Sequence, residues 1–364
     1  MLSYYKSYWN LWKDKKVYNF QKQIDYLLEN ACASIRYLVY RDMLHIPIDE
    51  PFMKELQAEI LRQSNVQKHL EAQHPDGWFG QELHGNEGMD HYINGLLNMG
   101  VEPGNLHIQK AITALTTPET ASQHKNWFRG GDALDAEERG GNRAIIAGLL
   151  SLVNAPEDTA ILCDEISLSL EHLKEVLQYH SVDDFTLRGK NERYYKPKAK
   201  FPGANHINLL ANTQGWRTGE NMQIAQSAAK HAYELMKEFD EYITFRKPFE
   251  FGGGFVGPFN YDWKALNPIS ERQFQDIIEN PYHFQFGFWL RTISTVPDWA
   301  RQNTAAYELL ADKLDKDTLF DMIPDKTLKA FRQIMGREPS WRRKASPKCD
   351  VTFAVLEACI PVLK

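Results

Sequence analysis

Residues 73–80 read Gln73-His74-Pro75-Asp76-Gly77-Trp78-Phe79-Gly80. The stretch follows one amphipathic segment and precedes another that carries Gly95-Leu96-Leu97. Gly77 and Gly80 let the backbone turn sharply, Phe79 is placed to plug between neighbouring hairpins, and Gln73 can bond the free backbone groups of a helix end. Many helical hairpins could use one such turn, so the decision rests on the pattern around it.

Outward from this turn the periodicity is almost entirely helical. One set of segments (19–29, 52–71, 106–116, 158–180, 219–240 and 298–313) is long, amphipathic and charged on one face. Each is followed by a shorter, smoother one with little charge: 33–44, 90–99, 142–153, 204–212, 283–294 and 349–360. Gly148-Leu149-Leu150 repeats the Gly-Leu-Leu signature, and Asn208-Leu209-Leu210 echoes it. A helix apolar all round must be buried on all sides, whereas a charged amphipathic one can face water. Six such pairs describe an all-α fold: an (α/α)6 barrel, or toroid, of six outer–inner helical hairpins spanning residues 1–364 as one domain. An open solenoid of helical pairs shows the same alternation. The unequal pair lengths and the lack of a strict repeat favour the closed ring. Less than about a tenth of the residues should then lie in strands, against a usual fifth or more.

Composition sets outer limits. At 364 residues the chain exceeds the usual single-domain size, which a large closed architecture accommodates. Its 9 Trp, 16 Tyr and 19 Phe suit a large core or a ring-lined cavity. A net charge of -6 argues against a nucleic-acid partner, because neutralising phosphates needs a basic surface. No run of 18 apolar residues predicts a membrane span, and Met1-Leu2-Ser3-Tyr4-Tyr5-Lys6 lacks a signal-peptide core. Cys32, Cys163, Cys349 and Cys359 show no paired spacing and read as reduced, buried thiols, so a cytoplasmic location is expected.

Connections are asymmetric. Inner-to-outer links such as 100–105 and 154–157 are short, while the outer-to-inner links 74–89, 117–141, 181–203, 241–282 and 336–348 are long. Long loops in a compact domain usually carry function. They lie where the inner helices begin, so convergent helix N-termini should make that mouth attractive to an anionic or strongly polar group.

At this point the chain resembles the terpenoid cyclase/protein prenyltransferase superfamily, particularly its small single-barrel bacterial members of unassigned role. The resemblance rests on Ser34-Ile35-Arg36-Tyr37-Leu38, the Gln73–Gly80 turn, the Gly-Leu-Leu segments, Trp216-Arg217-Thr218-Gly219-Glu220-Asn221 and Cys349-Asp350-Val351-Thr352. It implies the toroid and a central, aromatic-lined cavity for a bulky apolar small-molecule ligand. The chemistry does not follow. The Asp-x-Asp-Asp proton donor of the cyclases and the Asp-Asp-x-x-Asp diphosphate box are both missing. Cys349-Asp350 is adjacent and reversed relative to the prenyltransferase zinc ligands. No cofactor is expected.

Polar residues at the inner-helix starts form the candidate site: Glu87, Asp90 and His91; Asn142 and Arg143; Asn205 and His206; His283 and Gln285; Asp350. Asp90, His91, His206 and Asp350 have the chemistry of acids, bases or ligands, although for Asp90, Asn142 and Asp350 taken singly helix capping is the commoner role. Substrate contacts are expected from Asn142, Arg143, Trp78, Tyr194, Tyr195, Phe255, Phe259 and Trp263. A metal site from His84, Asp90 and His91 lacks the usual ligand spacing, so no metal is expected. His172 and His180 are expected to be solvated on an outer helix, and Cys163 to be buried. The basic loop 187–201 either holds an anion or is simply solvated. Segment 249–263, with six aromatic rings and Gly252-Gly253-Gly254 as a hinge, reads as a lid. The acidic run Asp132-Ala133-Leu134-Asp135-Ala136-Glu137-Glu138 could supply a carboxylate pair for glycosidic chemistry, with solvation as the commoner fate. Three functions stay open: an enzyme or binder for an isoprenoid-like molecule with an anionic end, a carbohydrate-active lyase or hydrolase, and a non-catalytic interaction module. The sequence sets no oligomeric state.

Overall fold

The structure is a computed structural model that describes residues 18–85, 87–117, 120, 124, 131–190, 193–236, 243–244, 295–296 and 304–363. Among the described residues 64% are helical and 4% are in strands or bridges, well under the tenth set by the sequence, so the fold is all-α.

The first hairpin is α1 (Gln21–Asn30) and α2 (Ala33–Leu38), the latter running on as a π-helical turn over Val39–Met43. The expected helix over 52–71 is two helices, α3 (Pro51–Leu61) and α4 (Ser64–Leu70). The break falls at Gln63, whose backbone is extended and whose amide side chain donates to Ser34 Oγ at 3.1 Å. Next come α5 (Met89–Asn98), α6 (Leu106–Thr116), the short α7 (Gly131–Ala136) and α8 (Asn142–Leu152). After α9 (Ala160–Val176) and α10 (Val182–Phe185), the basic loop forms an antiparallel hairpin of β1 (Thr186–Arg188) and β2 (Arg193–Tyr195). Leu187 faces Tyr194 across it, and β3 (Ile243–Thr244) pairs parallel to β2. The chain continues through α11 (Ala204–Asn212), α12 (Gly219–Met236) and α13 (Thr304–Asp315). The six-pair reading leaves 314–335 without an element; α14 (Leu319–Met322) and α15 (Asp325–Met335) occupy it. The last helix, α16 (Ala345–Leu363), starts earlier than expected and is buried along nearly its whole length, from Ser346 to Cys359.

The short apolar helices adjoin one another in chain order: α5 packs on α8 and α8 on α11, while α9 lies outside them against α8, α11 and α12. The N-terminal helices α1 and α2 pack on α16. A dense polar seam joins these ends. Cys32 N donates to Glu338 Oε1 (2.7 Å), and Asn65 Nδ2 to the Arg337 carbonyl (3.1 Å). The fully buried Arg337 guanidinium reaches Asn98 and Glu357, lying 4.4 Å over the Phe353 ring.

The Gln73–Gly80 turn has the geometry its residues require. Gly77 and Gly80 sit at φ +95° and +64°, and a Cβ on Gly77 would come within 2.6 Å of the Lys110 carbonyl oxygen. Phe79 is fully buried and stacks on Tyr92 at 5.8 Å. Gln73 Nε2 donates to the His107 carbonyl in the first turn of α6 (2.8 Å) and to the Gly77 carbonyl (3.0 Å), while its Oε1 meets His107 Nδ1 at 2.6 Å. Gln73→Ala removes all three bonds and is expected to cost about 1–3 kcal/mol in urea unfolding. A loss below about 0.5 kcal/mol would show that the side chain is dispensable to the turn.

Candidate functional site

Three of the short apolar helices begin at glycines: Gly88 before α5, Gly141 before α8 and Gly203 before α11. Glycine has no capping side chain, so groups within or across the turn take its place. Asp90 Oδ1 accepts from His91 N (2.8 Å), Asp135 from Arg143 N (3.2 and 3.3 Å), and His206 Nδ1 from Gly203 N (3.0 Å). Part of the positive end of each helix is therefore already occupied by the protein itself.

A small, open cavity lies at the start of α8. It measures about 180 Å³ and is lined by Asp135, Glu138, Gly140, Arg143, Asp164, Glu165 and Leu168. The tight turn before α8 crosses close over α7, where a Cβ on Gly141 would overlap the Gly131 carbonyl oxygen. This brings the C-terminal half of the acidic run beside α9. Arg143 Nε donates to Glu165 Oε1 (2.8 Å) and its Nη2 to Asp164 Oδ2 (3.0 Å). Burial, reinforced by the nearby Glu165, pushes the Asp135 carboxyl up to about 6, against the pull of the Arg143 amide and guanidinium. Burial also raises Glu165, and Arg143 draws it part of the way back. Two carboxyl groups, both raised by burial, thus flank one guanidinium.

Of the expected site residues, Asn142, Arg143 and His206 gather here. Asn142 Nδ2 donates to Asp132 (3.0 Å), and His206 lies against Gly140. Asp90 and His91 sit at the start of α5, where Asp90 Oδ2 holds His84 Nδ1 at 2.6 Å and raises that imidazole's pKa, and His91 stacks on His69 at 5.6 Å. Asp350 lies within α16 rather than at its start and is wholly buried. It accepts from Arg337 N (2.7 Å), Glu338 N (3.1 Å) and Trp341 Nε1 (2.6 Å). Trp78 is fully buried and stacks on His124 at 4.3 Å, and Tyr195 is buried under the Arg139 guanidinium at 3.6 Å. Tyr194 is half-buried on β2. Phe255, Phe259, Trp263 and the rest of the expected lid lie outside the described residues, as do His283 and Gln285.

Several expectations are corrected. His172 is buried, not solvated, because α9 is covered by α8, α11 and α12. Cys163 is exposed, while Cys32, Cys349 and Cys359 are buried. Two cations of the basic loop are paired by neighbouring carboxylates: Arg193 with Asp183, and Lys200 with Glu171 and Glu138. Sequence reasoning missed Glu165, whose signal was an acidic pair, Asp164-Glu165, on an otherwise apolar stretch of α9. No three His, Cys, Asp or Glu side chains among the described residues gather as a metal site requires, and no described helix is long and apolar enough to cross a membrane.

Comparison with protein-family models, with curated proteins and with solved structures returns no match.

Proposed function

We propose that the helical pairs close into an (α/α)6 toroid of the terpenoid-cyclase-like kind, and that the cavity at the start of α8 binds a small polyhydroxylated ligand for acid–base chemistry. Ring closure is supported by the packing of α1 and α2 on α16 and by the sequential contacts of α5, α8 and α11. The ligand class is carried by one observation: Asp135, its carboxyl raised to about 6, shares the cavity with Glu165 bound to Arg143. In this reading Asp135 is the proton donor and Glu165 the base, which is the division of labour that glycosidic bonds require. At about 180 Å³ the cavity is small beside the roughly 300–1,000 Å³ of typical ligand sites, which favours a single sugar-sized group over an isoprenoid body. At this cavity the isoprenoid reading would rely on Arg143, which already holds two carboxylates.

The test is a thermal-shift and calorimetric titration with neutral monosaccharides, uronates and prenyl diphosphates. Neutral sugars or uronates should stabilise the wild type, and Asp135→Asn or Glu165→Gln should weaken that binding about tenfold or more. A salt-sensitive response to prenyl diphosphates alone, lost in Arg143→Ala, would replace this reading with the isoprenoid one. No response to any of them would leave a non-catalytic module.

A further inference from the structure

Behind the cavity, α9 and α11 meet through two histidines. His172 and His206 are both buried, 0% and 1% exposed, with ring centroids 4.3 Å apart and planes 27° from parallel. His206 Nδ1 accepts the Gly203 N–H, which places its own proton on Nε2, and that Nε2 has no hydrogen-bond partner among the described residues. His172 looks onto the backbone of Phe201 and Glu138, but neither of its nitrogens makes a hydrogen bond of normal geometry among the described residues. The pair adjoins the cavity from both sides. Leu168, in the cavity lining, lies one turn before His172 on α9. Gly140, also in the lining, faces the His206 edge, where an added Cβ would sit 3.3 Å from Cε1 and 3.6 Å from Nε2.

The charged surroundings are one-sided. The group acting on both rings is the Arg139 guanidinium, from the turn before α8, itself bonded to the Ala199 and Phe201 carbonyls and covered by Tyr195. The only titratable side chain of α8 is Arg143, which is bound to Asp164 and Glu165, and α11 contributes only His206. On α9, Glu171 is held by Lys200. The buried side chains of α12 include Ala225, Ala228, Ala229 and Ala232, and its His231 is bonded to the Tyr179 carbonyl. No carboxylate among the described residues pairs with either imidazole.

We propose that the His172–His206 stack is an acid-sensitive latch: neutral, it closes α9 on α11 behind the cavity; protonated, it sets a second cation beside Arg139 with no carboxylate to receive it, and the helices part. Burial first, and then Arg139, holds His206 down at about 3; burial, His206 and Arg139 hold His172 well below its usual range. Once opened, the rings regain an ordinary pKa of about 6.5. The open state therefore binds more protons below that value, and the latch weakens as pH falls. At pH 5 one released imidazole favours opening by about thirtyfold, and two by about a thousandfold. Asp135 and Asp350, held up at about 6 in the folded chain, and Glu165 on α9, also raised by burial, act in the opposite sense, so a global melting curve blends the two effects.

A local measurement on the full chain, read against a variant that lacks only the two histidines, separates them. Amide hydrogen exchange across 165–173 and 204–210, corrected for intrinsic rates and referenced to the α1–α2 hairpin, is compared at about pH 7.5 and pH 5. In the wild type, protection of α9 and α11 should fall by about thirtyfold or more. The double variant His172→Phe with His206→Asn keeps a stacking ring and an acceptor for the Gly203 amide, and its loss should be less than about threefold. Protection unaffected by pH in the wild type, or an equal loss in the variant, would overturn the latch. Should the variant fail to fold, histidine ring NMR of the wild type decides. Rings that stay neutral until the segment opens support the latch, and rings that titrate near 6.5 with protection intact overturn it.

Discussion

Asp350→Ala is expected to lower the unfolding free energy by about 3–5 kcal/mol. The carboxylate is fully buried and accepts from the Arg337 and Glu338 amides and from Trp341 Nε1, so its removal orphans three donors at once and leaves the buried Arg337 with one acid fewer nearby. Each unmet donor alone costs about 1–3 kcal/mol. Glu338, positioned by the same oxygens, in turn holds Cys32 N, Ser346 Oγ and Arg343, so the damage extends to the junction of α2 with α16. Asp350→Asn keeps one acceptor and should lose roughly half as much. Urea unfolding monitored by tryptophan fluorescence reads both, and a drop under about 1 kcal/mol in Asp350→Ala would show that water satisfies the seam.

Gly80→Ala is expected to cost about 2–4 kcal/mol. The φ of +64° is tolerable to alanine at modest strain, but the new methyl would overlap the Glu87 carbonyl oxygen and lie 2.9 Å from the Tyr92 ring. The turn would have to shift, and Phe79 with it. Gly148→Ala supplies the contrast: nothing among the described residues lies within 4 Å of its added methyl in the middle of α8, so the same chemical change should stabilise by about 0.5–1 kcal/mol. Equal melting temperatures for the two variants would show that backbone approach at the turn is not what requires glycine.

Much of the helical layout was legible because hydrophobic period and turn chemistry agree. The 106–116 and 204–212 boundaries match α6 and α11 to the residue, and Gln73, Gly77, Gly80 and Phe79 do what their side chains suggest. The misses have physical causes. The helix expected over 52–71 breaks at Gln63 because a tertiary bond to Ser34 outweighs local periodicity. Gly95 and Gly148 share a signature but not a role: Gly95 lets the His69 ring approach, where a Cβ would meet Nε2 at 2.6 Å, while Gly148 meets nothing among the described residues. Three described helix starts, those of α5, α8 and α11, carry polar groups, but no single-chain pattern says which group caps which glycine. The cavity depends on α7 and α8 presenting Asp135 and Arg143 to Glu165 across more than twenty positions, a pairing that periodicity cannot encode.

The polar seam also bears on how the chain is made. Cys32 and Glu338, joined at 2.7 Å, are 306 positions apart, and Asn65 waits for Arg337 across 272. At roughly 5–20 residues per second, a ribosome needs roughly 15–60 s to deliver the partner of an already emerged N-terminal hairpin. Through that interval the face of α1 and α2 that later meets α16 stands open to water and to other nascent chains. Contacts of such long range slow folding, and they place the first hairpin among the segments most in need of chaperone cover during synthesis.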